Sequence, residues 1–319
     1  DEANNGADSA GQCRQFANGL FDPVLKWHWT QPVGASRARH VFGPPMVGQL
    51  SDDNGDGRID SRDMPDLVFV DSVGTLNVVS GADGRELVSV SGLSLTHSGS
   101  LALGDIDDDG VVEILGTDRR NRQELLALEH DGSLKWRVSR GPPERIYTSQ
   151  TSDGIAIADL DADGVPEIVH GDRVFSPDGV LLWIGGWDRG GYAAYGYLSI
   201  VADIDLDGTQ EVVAGRSVYD HAGNLVWHRG EFIGDGFNAV GNFDEDDTAE
   251  IVLVAFGELY LLEHDGTLIW GPVAVPGTGI RGGPPTVADF DNDGAPEIGV
   301  AGYDRYVAFD TDGSVLWQA

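Results

Sequence analysis

Six Asp-rich loops recur along this chain of 319 residues, and five of them are well-formed metal-binding patterns. Four of the loops read D-x-D-x-D-G-x-x-E, so alternate residues of a tight loop can turn three carboxylates inward while the Glu closes the site from the next strand. The residue two positions after the last Asp can add a backbone carbonyl. Together these oxygens favour Ca²⁺, which takes about six to eight oxygen ligands, over the smaller, octahedral Mg²⁺. The predicted ligands are Asp105, Asp107, Asp109, Val111 and Glu113; Asp159, Asp161, Asp163, Val165 and Glu167; Asp203, Asp205, Asp207, Thr209 and Glu211; and Asp289, Asp291, Asp293, Ala295 and Glu297.

The first and fifth loops depart from this pattern. The first follows the ligand order of an EF-hand loop but ends in Asp where that loop uses Glu, and we expect it to bind calcium as well. Its candidate ligands are Asp52, Asn54, Asp56, the Arg58 carbonyl, Asp60 and Asp63. The fifth loop has Asp247 where the Gly should stand, so we expect its site to be weak or empty. Its candidate ligands are Asn242, Asp244, Asp246 and Glu250.

The charge of the chain agrees with a need for divalent cations. There are 53 acidic and 20 basic residues, a formal charge of −33, and only two lysines, Lys26 and Lys135. Five bound Ca²⁺ would add ten positive charges and bring this to −23, relieving a self-repulsion that opposes compaction. The acidity also argues against a nucleic-acid partner.

The loops belong to a longer repeat of roughly 40–55 residues. Each loop is followed by a short apolar strand, a second strand, a tight hairpin of the Asp-Gly kind and a further strand that mostly ends in Leu-x-Trp. Four short strands per unit, repeated around an axis, predict an all-β fold of the β-propeller type. The tryptophans are Trp136, Trp183, Trp227, Trp270 and Trp317, and packing within or between the units is their expected role.

From about residue 21 to 319 the chain resembles the FG-GAP/VCBS repeat propellers, including the calcium-binding blades of integrin α-chain heads. The most specific element of the resemblance is the D-x-D-x-D-G-x-x-E loop between the first two strands of a unit. The resemblance implies structural calcium in the loops of a secreted or cell-surface binding or adhesion module.

The repeat count predicts a single propeller domain over residues 21–319, preceded by a disordered segment over residues 1–20 that contains the lone cysteine, Cys13. Six complete units begin near residue 40. The segment from Val24 to Trp29 resembles one more outer strand, which implies a seventh blade completed by a further segment or chain. The alternative is a six-bladed ring with this segment added at its rim.

The strand order predicts a ligand surface on the face opposite the metal loops. The Asp-rich loops and the Asp-Gly hairpins share one face, while the connections rich in Arg and aromatic residues share the other. Such a surface could bind a protein or carbohydrate ligand. Structural pairing of the Arg side chains and aromatic packing between blades are the alternatives. The candidates are Trp187, Arg189, Tyr192, Tyr195, Arg119 and Arg122.

Two functions are compatible with these patterns. A calcium-stabilised binding module, adhesive or lectin-like, is favoured because the basic residues and the metal loops are predicted on opposite faces. Metal-hydrolase, nucleophile-elbow and nucleotide-binding motifs are also absent. The alternative is a calcium-dependent lyase acting on acidic polysaccharide, since some pectin-type lyases resemble these propellers. The longest apolar stretch, Ile251 to Leu262, is too short to span a membrane and predicts two strands with a turn.

Overall fold

The computed structural model describes residues 24–29, 40–93, 95–118, 124–139, 153–192, 196–231, 234–277 and 282–319. All regular secondary structure in these ranges is β-strand, which confirms the predicted fold class. Six four-stranded antiparallel sheets follow one another along the chain, each in the strand order of the sequence. We call these sheets blades one to six. Segments 1–20 and 30–39, with Cys13, lie outside the described residues, as do Arg119, Arg122 and Tyr195.

The first three blades are formed by β1 (Met46–Gly48), β2 (Asp66–Val70), β3 (Leu76–Val79) and β4 (Glu86–Val90); by β5 (Ala102–Gly104), β6 (Glu113–Thr117), β7 (Glu124–Leu128) and β8 (Leu134–Ser139); and by β9 (Ala156–Ala158), β10 (Glu167–His170), β11 (Arg173–Phe175) and β12 (Leu181–Ile184). A two-stranded ribbon follows, made of β13 (Gly191–Tyr192) and β14 (Gly196–Tyr197). Blades four to six are formed by β15 (Ile200–Ala202), β16 (Glu211–Ala214), β17 (Ser217–Tyr219) and β18 (Leu225–His228); by β19 (Phe237–Gly241), β20 (Glu250–Ala255), β21 (Glu258–Leu262) and β22 (Leu268–Ala274); and by β23 (Pro285–Ala288), β24 (Glu297–Ala301), β25 (Tyr306–Phe309) and β26 (Val315–Gln318).

The first strands of consecutive blades lie side by side, from β1 beside β5 to β19 beside β23. The apolar core therefore lies between blades. One cluster joins Val68 and Leu76 of blade one to Ile114 and Leu128 of blade two. The middle strands are covered on both faces, so every residue of β20 is buried and the strand reads as a continuous apolar run. The fourth strands alternate between half-buried and exposed positions, as expected for an outer edge.

The predicted division of the apolar run from Ile251 to Leu262 is confirmed. The run forms the end of β20 and all of β21, joined by a tight turn at Phe256 and Gly257. Both turn residues have positive φ angles, 51° and 81°. Glycine adopts this conformation without steric cost, whereas Phe256 does so at the expense of some strain.

In blades two to five, a tryptophan of the fourth strand ties the blade to the hairpin of the next blade. The indole Nε1 of Trp227 donates to the carbonyl of His264 at 2.7 Å. The ring lies so close to Gly266 that a β-carbon there would be 2.8 Å from it, so this hairpin needs glycine for its neighbour as well as for its φ of 81°. The same bond joins Trp136 to Pro177, Trp183 to His221 and Trp270 to Thr311, at 2.7–3.0 Å. We call this contact the tryptophan latch.

Replacing Trp227 by Phe is expected to lower the free energy of unfolding by about 1 kcal/mol, since the latch hydrogen bond is lost while most of the ring remains. Trp227→Ala should cost about 3 kcal/mol because the inter-blade contact is lost as well. Urea unfolding followed by circular dichroism measures both. Trp317→Phe is the control, because among the described residues the Trp317 indole donates to no hairpin carbonyl. Equal losses at Trp227 and Trp317 would contradict the latch.

The N-terminal segment makes the same contact with blade one. Trp27 Nε1 donates to the carbonyl of Gly81 at 3.1 Å, and its ring lies against Gly84. Trp29 packs edge-on against Phe69, with ring centroids 5.1 Å apart. Residues 24–29 pair with no described strand, so the predicted outer strand is present only as a docked segment. Its position relative to blade one is that of a fourth strand in a preceding blade, and the seven-blade count stays a prediction.

Candidate metal centres

The four regular loops share one backbone conformation, which begins with the first Asp. In the loop of blade two, Asp105 accepts the amide of Gly110 at 2.9 Å, and Asp109 accepts the amide of Val111 at 2.8 Å. The residue before the third Asp lies in the left-handed region in all four loops, with φ between 59° and 63° at Asp108, Ala162, Leu206 and Asn292. These local bonds fold the loop back on itself and direct the first two Asp side chains towards the start of the second strand.

Carboxylate oxygens converge at five places within the described residues. Each group places one oxygen per residue within 4.8 Å of the others. The groups are Asp105, Asp107 and Glu113; Asp159, Asp161 and Glu167; Asp203, Asp205 and Glu211; Asp244, Glu250 and Glu263; and Asp289, Asp291, Asp293 and Glu297. The third Asp of the loop belongs to the group in blade six, whereas Asp109, Asp163 and Asp207 lie outside theirs.

The closing Glu of each regular loop is the first residue of the second strand of its blade, where a backbone hydrogen bond holds its carboxylate in place. One oxygen of Glu211 accepts the amide of Ile204 at 3.0 Å, which leaves the other for a ligand. Burial, together with the nearby carboxylates of Asp205, Asp207 and Asp203, raises the pKa of Glu211 to about 7. Burial also raises the pKa values of Glu113, Glu167, Glu250 and Glu297 above the usual range. These carboxylates are held close together and repel one another, and the donor set fits a hard divalent cation.

The fifth loop has a different backbone and a different donor set. Neither Glu245 nor Asp247 has a positive φ, unlike the corresponding residues of the four regular loops. Asp247 stands where those loops have a glycine. The Asn242 side-chain amide donates to the Asp246 carbonyl at 2.5 Å. Glu263, which begins the hairpin after β21, joins the group instead. Glu250 is fully buried, and its Oε1 has no hydrogen-bond partner.

Sequence reasoning missed Glu263 because it lies outside the loop motif. A signal was available, since the residue that begins this hairpin is Ser80 in blade one and Ser176 in blade three but a carboxylate in the other blades.

Blade two contains a second residue that the motif does not show. The ammonium of Lys135, on the outer strand β8, lies 2.6 Å from Asp107, 3.3 Å from Glu113 and 3.0 Å from Glu129. Burial opposes the charged ammonium, but its hydrogen bonds to Asp107, Glu129 and Glu113 outweigh this and raise the pKa of Lys135. The carboxylate group of blade two therefore faces a cation that belongs to the chain itself.

The first loop is folded by its own hydrogen bonds. Asp52 accepts the amide of Gly57 at 2.8 Å, the same bond that the regular loops make. Asp63 accepts three backbone amides, at 2.9–3.3 Å. The guanidinium of Arg62 lies 3.0 Å from Asp56 and 2.6 Å from Asp60, and it lowers the pKa of Asp60 to about 2. This loop is not among the converging groups of the described chain, and its calcium site stays a prediction.

On the opposite face, several arginines are paired with buried carboxylates. Arg216 Nε lies 2.8 Å from Asp188, and Arg189 Nε lies 3.3 Å from Asp172. Asp235 accepts the amides of Arg189 and Gly191 at 2.9 and 3.2 Å and so anchors the ribbon of β13 and β14. Burial, together with Asp188, raises the pKa of Asp235 to about 7. These pairs position the segment that carries the predicted ligand residues.

The predicted ligand residues of this segment differ in their exposure. Trp187 is 59% exposed, and its ring stacks on His228 with centroids 4.5 Å apart. Arg189 lies beside the Tyr197 ring, 5.5 Å from its centroid. Tyr192 is buried, and its hydroxyl lies 3.3 Å from the Val254 carbonyl and 2.7 Å from the amide of Phe256. Trp187 is therefore the available aromatic surface, whereas Tyr192 anchors the ribbon on blade five.

A family model described as an FG-GAP-like repeat matches residues 105–170, which contain the loops of blades two and three. Residues 105–170 therefore contain an FG-GAP-like repeat. The fold is propeller-like, in agreement with the resemblance seen in the sequence. No curated protein sequence matches this chain. None of its described residues forms a helix capable of crossing a membrane.

Solved structures similar to this chain are of several kinds. The biofilm matrix protein Bap1 of V. cholerae is 32% identical, with a TM-score of 0.67 over 77% of this chain and 42% of Bap1. A Bacillus licheniformis rhamnogalacturonan lyase is 19% identical, with a TM-score of 0.60 over 86% of this chain and 57% of the lyase. BamB of Moraxella catarrhalis is 12% identical, with a TM-score of 0.54 over 82% and 74% of the two chains. The chain thus spans less than half the length of Bap1, and the last two likenesses concern the fold alone.

Proposed function

We propose that this protein is a calcium-binding propeller that acts outside the cell as a binding or adhesion module. The observation that carries the proposal is the convergence of carboxylates at the same place in successive blades. In each of the five clusters exposed or half-buried carboxylates lie beside a buried or half-buried Glu, and the charge of that Glu is costly unless a cation neutralises it. Native mass spectrometry in millimolar calcium should count at least about four bound ions, and a metal-free protein under those conditions would refute the proposal.

Calcium would act here as a structural tie. In blade five, Glu263 of the carboxylate group directly precedes His264, whose carbonyl receives the latch from Trp227 of blade four. A cation held by Asp244, Glu250 and Glu263 would connect the first loop of the blade to its hairpin. It would thereby stabilise the latch to the preceding blade as well.

The extracellular and adhesive part of the proposal is supported by two observations. The formal charge of −33 suits surroundings rich in calcium. Bap1, the 32% identical structure, is described as a biofilm matrix protein. A module of this kind needs a surface for another molecule, and the face opposite the metal loops offers one at Trp187.

Trp187 has the properties of a sugar-stacking or side-chain-stacking residue. Its indole is exposed, while its amide donates to the Tyr219 hydroxyl at 3.0 Å and its ring rests on His228. An aromatic ring held in place loses little conformational entropy when a ligand stacks on it. The nearby pairs Arg216–Asp188 and Arg189–Asp172 fix the surrounding loop. We therefore place the ligand at Trp187, with Arg189 at its edge.

Trp187→Ala is expected to reduce ligand binding at least tenfold, since a stacked aromatic is worth about 1.5 kcal/mol or more. The measurement is binding to an array of bacterial and plant polysaccharides in calcium. Tyr303→Ala is the matched control, because Tyr303 is 95% exposed in a loop of blade six and has no comparable support described. Equal binding by the two variants would contradict a role for Trp187.

The same samples test the lyase alternative. A lyase would produce an absorbance increase from the unsaturated uronate product when incubated with acidic polysaccharide. Binding without this increase supports the binding module, whereas a calcium-dependent increase would show that the protein is a lyase instead.

A further inference from the structure

The chain has two lysines, and one of them, Lys135, lies among the carboxylates of blade two. Its ammonium contacts Asp107, Glu113 and Glu129 within 3.3 Å, and its side chain is only 18% exposed. Asp107 and Glu113 belong to the group that would hold a cation in this blade. The ammonium therefore competes with a metal ion for the same oxygens.

The position of Lys135 has an exact counterpart in the other described blades. In each blade one residue of the fourth strand pairs with the third strand beside the bulge near the hairpin, and Lys135 directly precedes this residue in blade two. The pairs include Trp136 with Ala127, Trp183 with Val174, and Trp270 with Leu261. The counterparts of Lys135 are all apolar: Leu87, Leu182, Val226, Ile269 and Leu316. A cation at this position is thus specific to blade two within the described blades.

Blade five provides the comparison within the same molecule. Glu263 of blade five and Glu129 of blade two both begin a hairpin whose next three residues are His-Asp-Gly. In blade five the counterpart of Lys135 is Ile269, and the fully buried Glu250 Oε1 has no hydrogen-bond partner. In blade two the equivalent carboxylate, Glu113, has the Lys135 ammonium beside it. The extra Glu is therefore accompanied by a lysine in one blade and by an unpartnered carboxylate oxygen in the other.

We propose that Lys135 is a built-in cation that takes the place of calcium in blade two, so that this blade is held together without metal while blade five depends on it. The inference rests on the proposed calcium-binding function. To bind at blade two, Ca²⁺ would have to displace the ammonium from Asp107 and Glu113 and accept a positive charge close by. Blade two should consequently have the lowest calcium affinity of the five converging groups, lower than that of blade five, for which the missing glycine predicts a weak site.

The test exchanges the residues of the two blades. Lys135→Leu gives blade two the residue found in blade three, and Ile269→Lys gives blade five the residue found in blade two. Native mass spectrometry and calorimetric titration across 0.01–10 mM Ca²⁺, the concentration range of extracellular sites, count the ions and measure their affinities. Lys135→Leu is expected to gain one ion, or at least tenfold in affinity at one site, and Ile269→Lys to lose as much.

A third variant locates the gained ion. Adding Asp107→Asn to Lys135→Leu should abolish the gain if the ion is bound in blade two. If Lys135→Leu fails to fold, Ile269→Lys provides the test alone, because Ile269 is an exposed outer-strand residue that tolerates a polar side chain.

Different results would overturn the role of Lys135 and the proposed calcium-binding function. Calcium bound by the unmodified protein with unchanged stoichiometry and affinity in both exchange variants would overturn the role of Lys135 and leave the calcium-binding function intact. Absence of bound calcium in the unmodified protein at 10 mM would overturn the proposed function, and the inference with it.

Discussion

Removal of calcium with EGTA is expected to lower the melting temperature by roughly 15 °C relative to protein in 5 mM calcium. A site with a dissociation constant near 10⁻⁴ M contributes about 2 kcal/mol at that concentration, so the four groups without a lysine contribute about 9 kcal/mol together. A free-energy change of this size shifts the transition of a domain of about 300 residues by roughly 1.5–2 °C per kcal/mol. Differential scanning calorimetry measures the shift.

Two controls accompany this measurement. Magnesium at the same concentration should restore little of the stability, because it resists the loss of its water shell and needs a smaller site. Glu211→Gln should remove about one quarter of the calcium-dependent shift, since it weakens the group of blade four and leaves the others intact. An identical melting temperature in EGTA and calcium would show that the acidic groups are not metal sites.

The metal-free protein is expected to lose stability as the pH rises from about 5 to 8, with a melting temperature lower by several degrees at the upper end. Burial raises the pKa of Glu211 to about 7 from an ordinary 4.5, and it raises those of Glu113, Glu167, Glu250 and Glu297 in the same direction. Between 4.5 and 7 the folded state thus binds more protons than the unfolded state. The stability is fully present below 4.5 and is lost as the pH rises through 7.

Calcium should reverse this dependence, because it binds the ionised carboxylates and releases protons. The difference in melting temperature between calcium and EGTA is therefore expected to be larger at pH 8 than at pH 5. Glu211→Gln separates this cause from general charge repulsion, since the variant removes one titrating carboxyl and should flatten the metal-free profile. A metal-free protein that becomes more stable from pH 5 to 8 would contradict the buried-carboxyl account.

The loops and the strands that flank them could be predicted from the sequence because their causes are local. Alternate Asp residues followed by Gly specify a tight turn, and the Glu that follows enters a strand. The run from Ile251 to Leu262 reads as two strands for the same reason, since the turn at Phe256 and Gly257 depends on neighbouring residues. Repetition then predicted four-stranded blades.

The completion of each site was decided by the tertiary structure alone. Glu263 reaches the group of Asp244 and Glu250, and Lys135 reaches Asp107 from 28 residues away, because strands three and four fold back beside the loop. The motif spacing does not predict these contacts, since they depend on the register of β7 with β8 and of β21 with β22.

The same division holds for the surface and for the contacts between blades. The sequence identified an aromatic segment around Trp187, but packing decided that Trp187 is exposed on His228 while Tyr192 is buried against blade five. It likewise identified the recurring tryptophans, but only the assembled structure shows four of their indoles donating to the next hairpin. Residue types and spacing therefore determined the repeat and the carboxylates that could bind a metal ion. Which cation each blade would hold depends on charges that meet only when distant strands pack together.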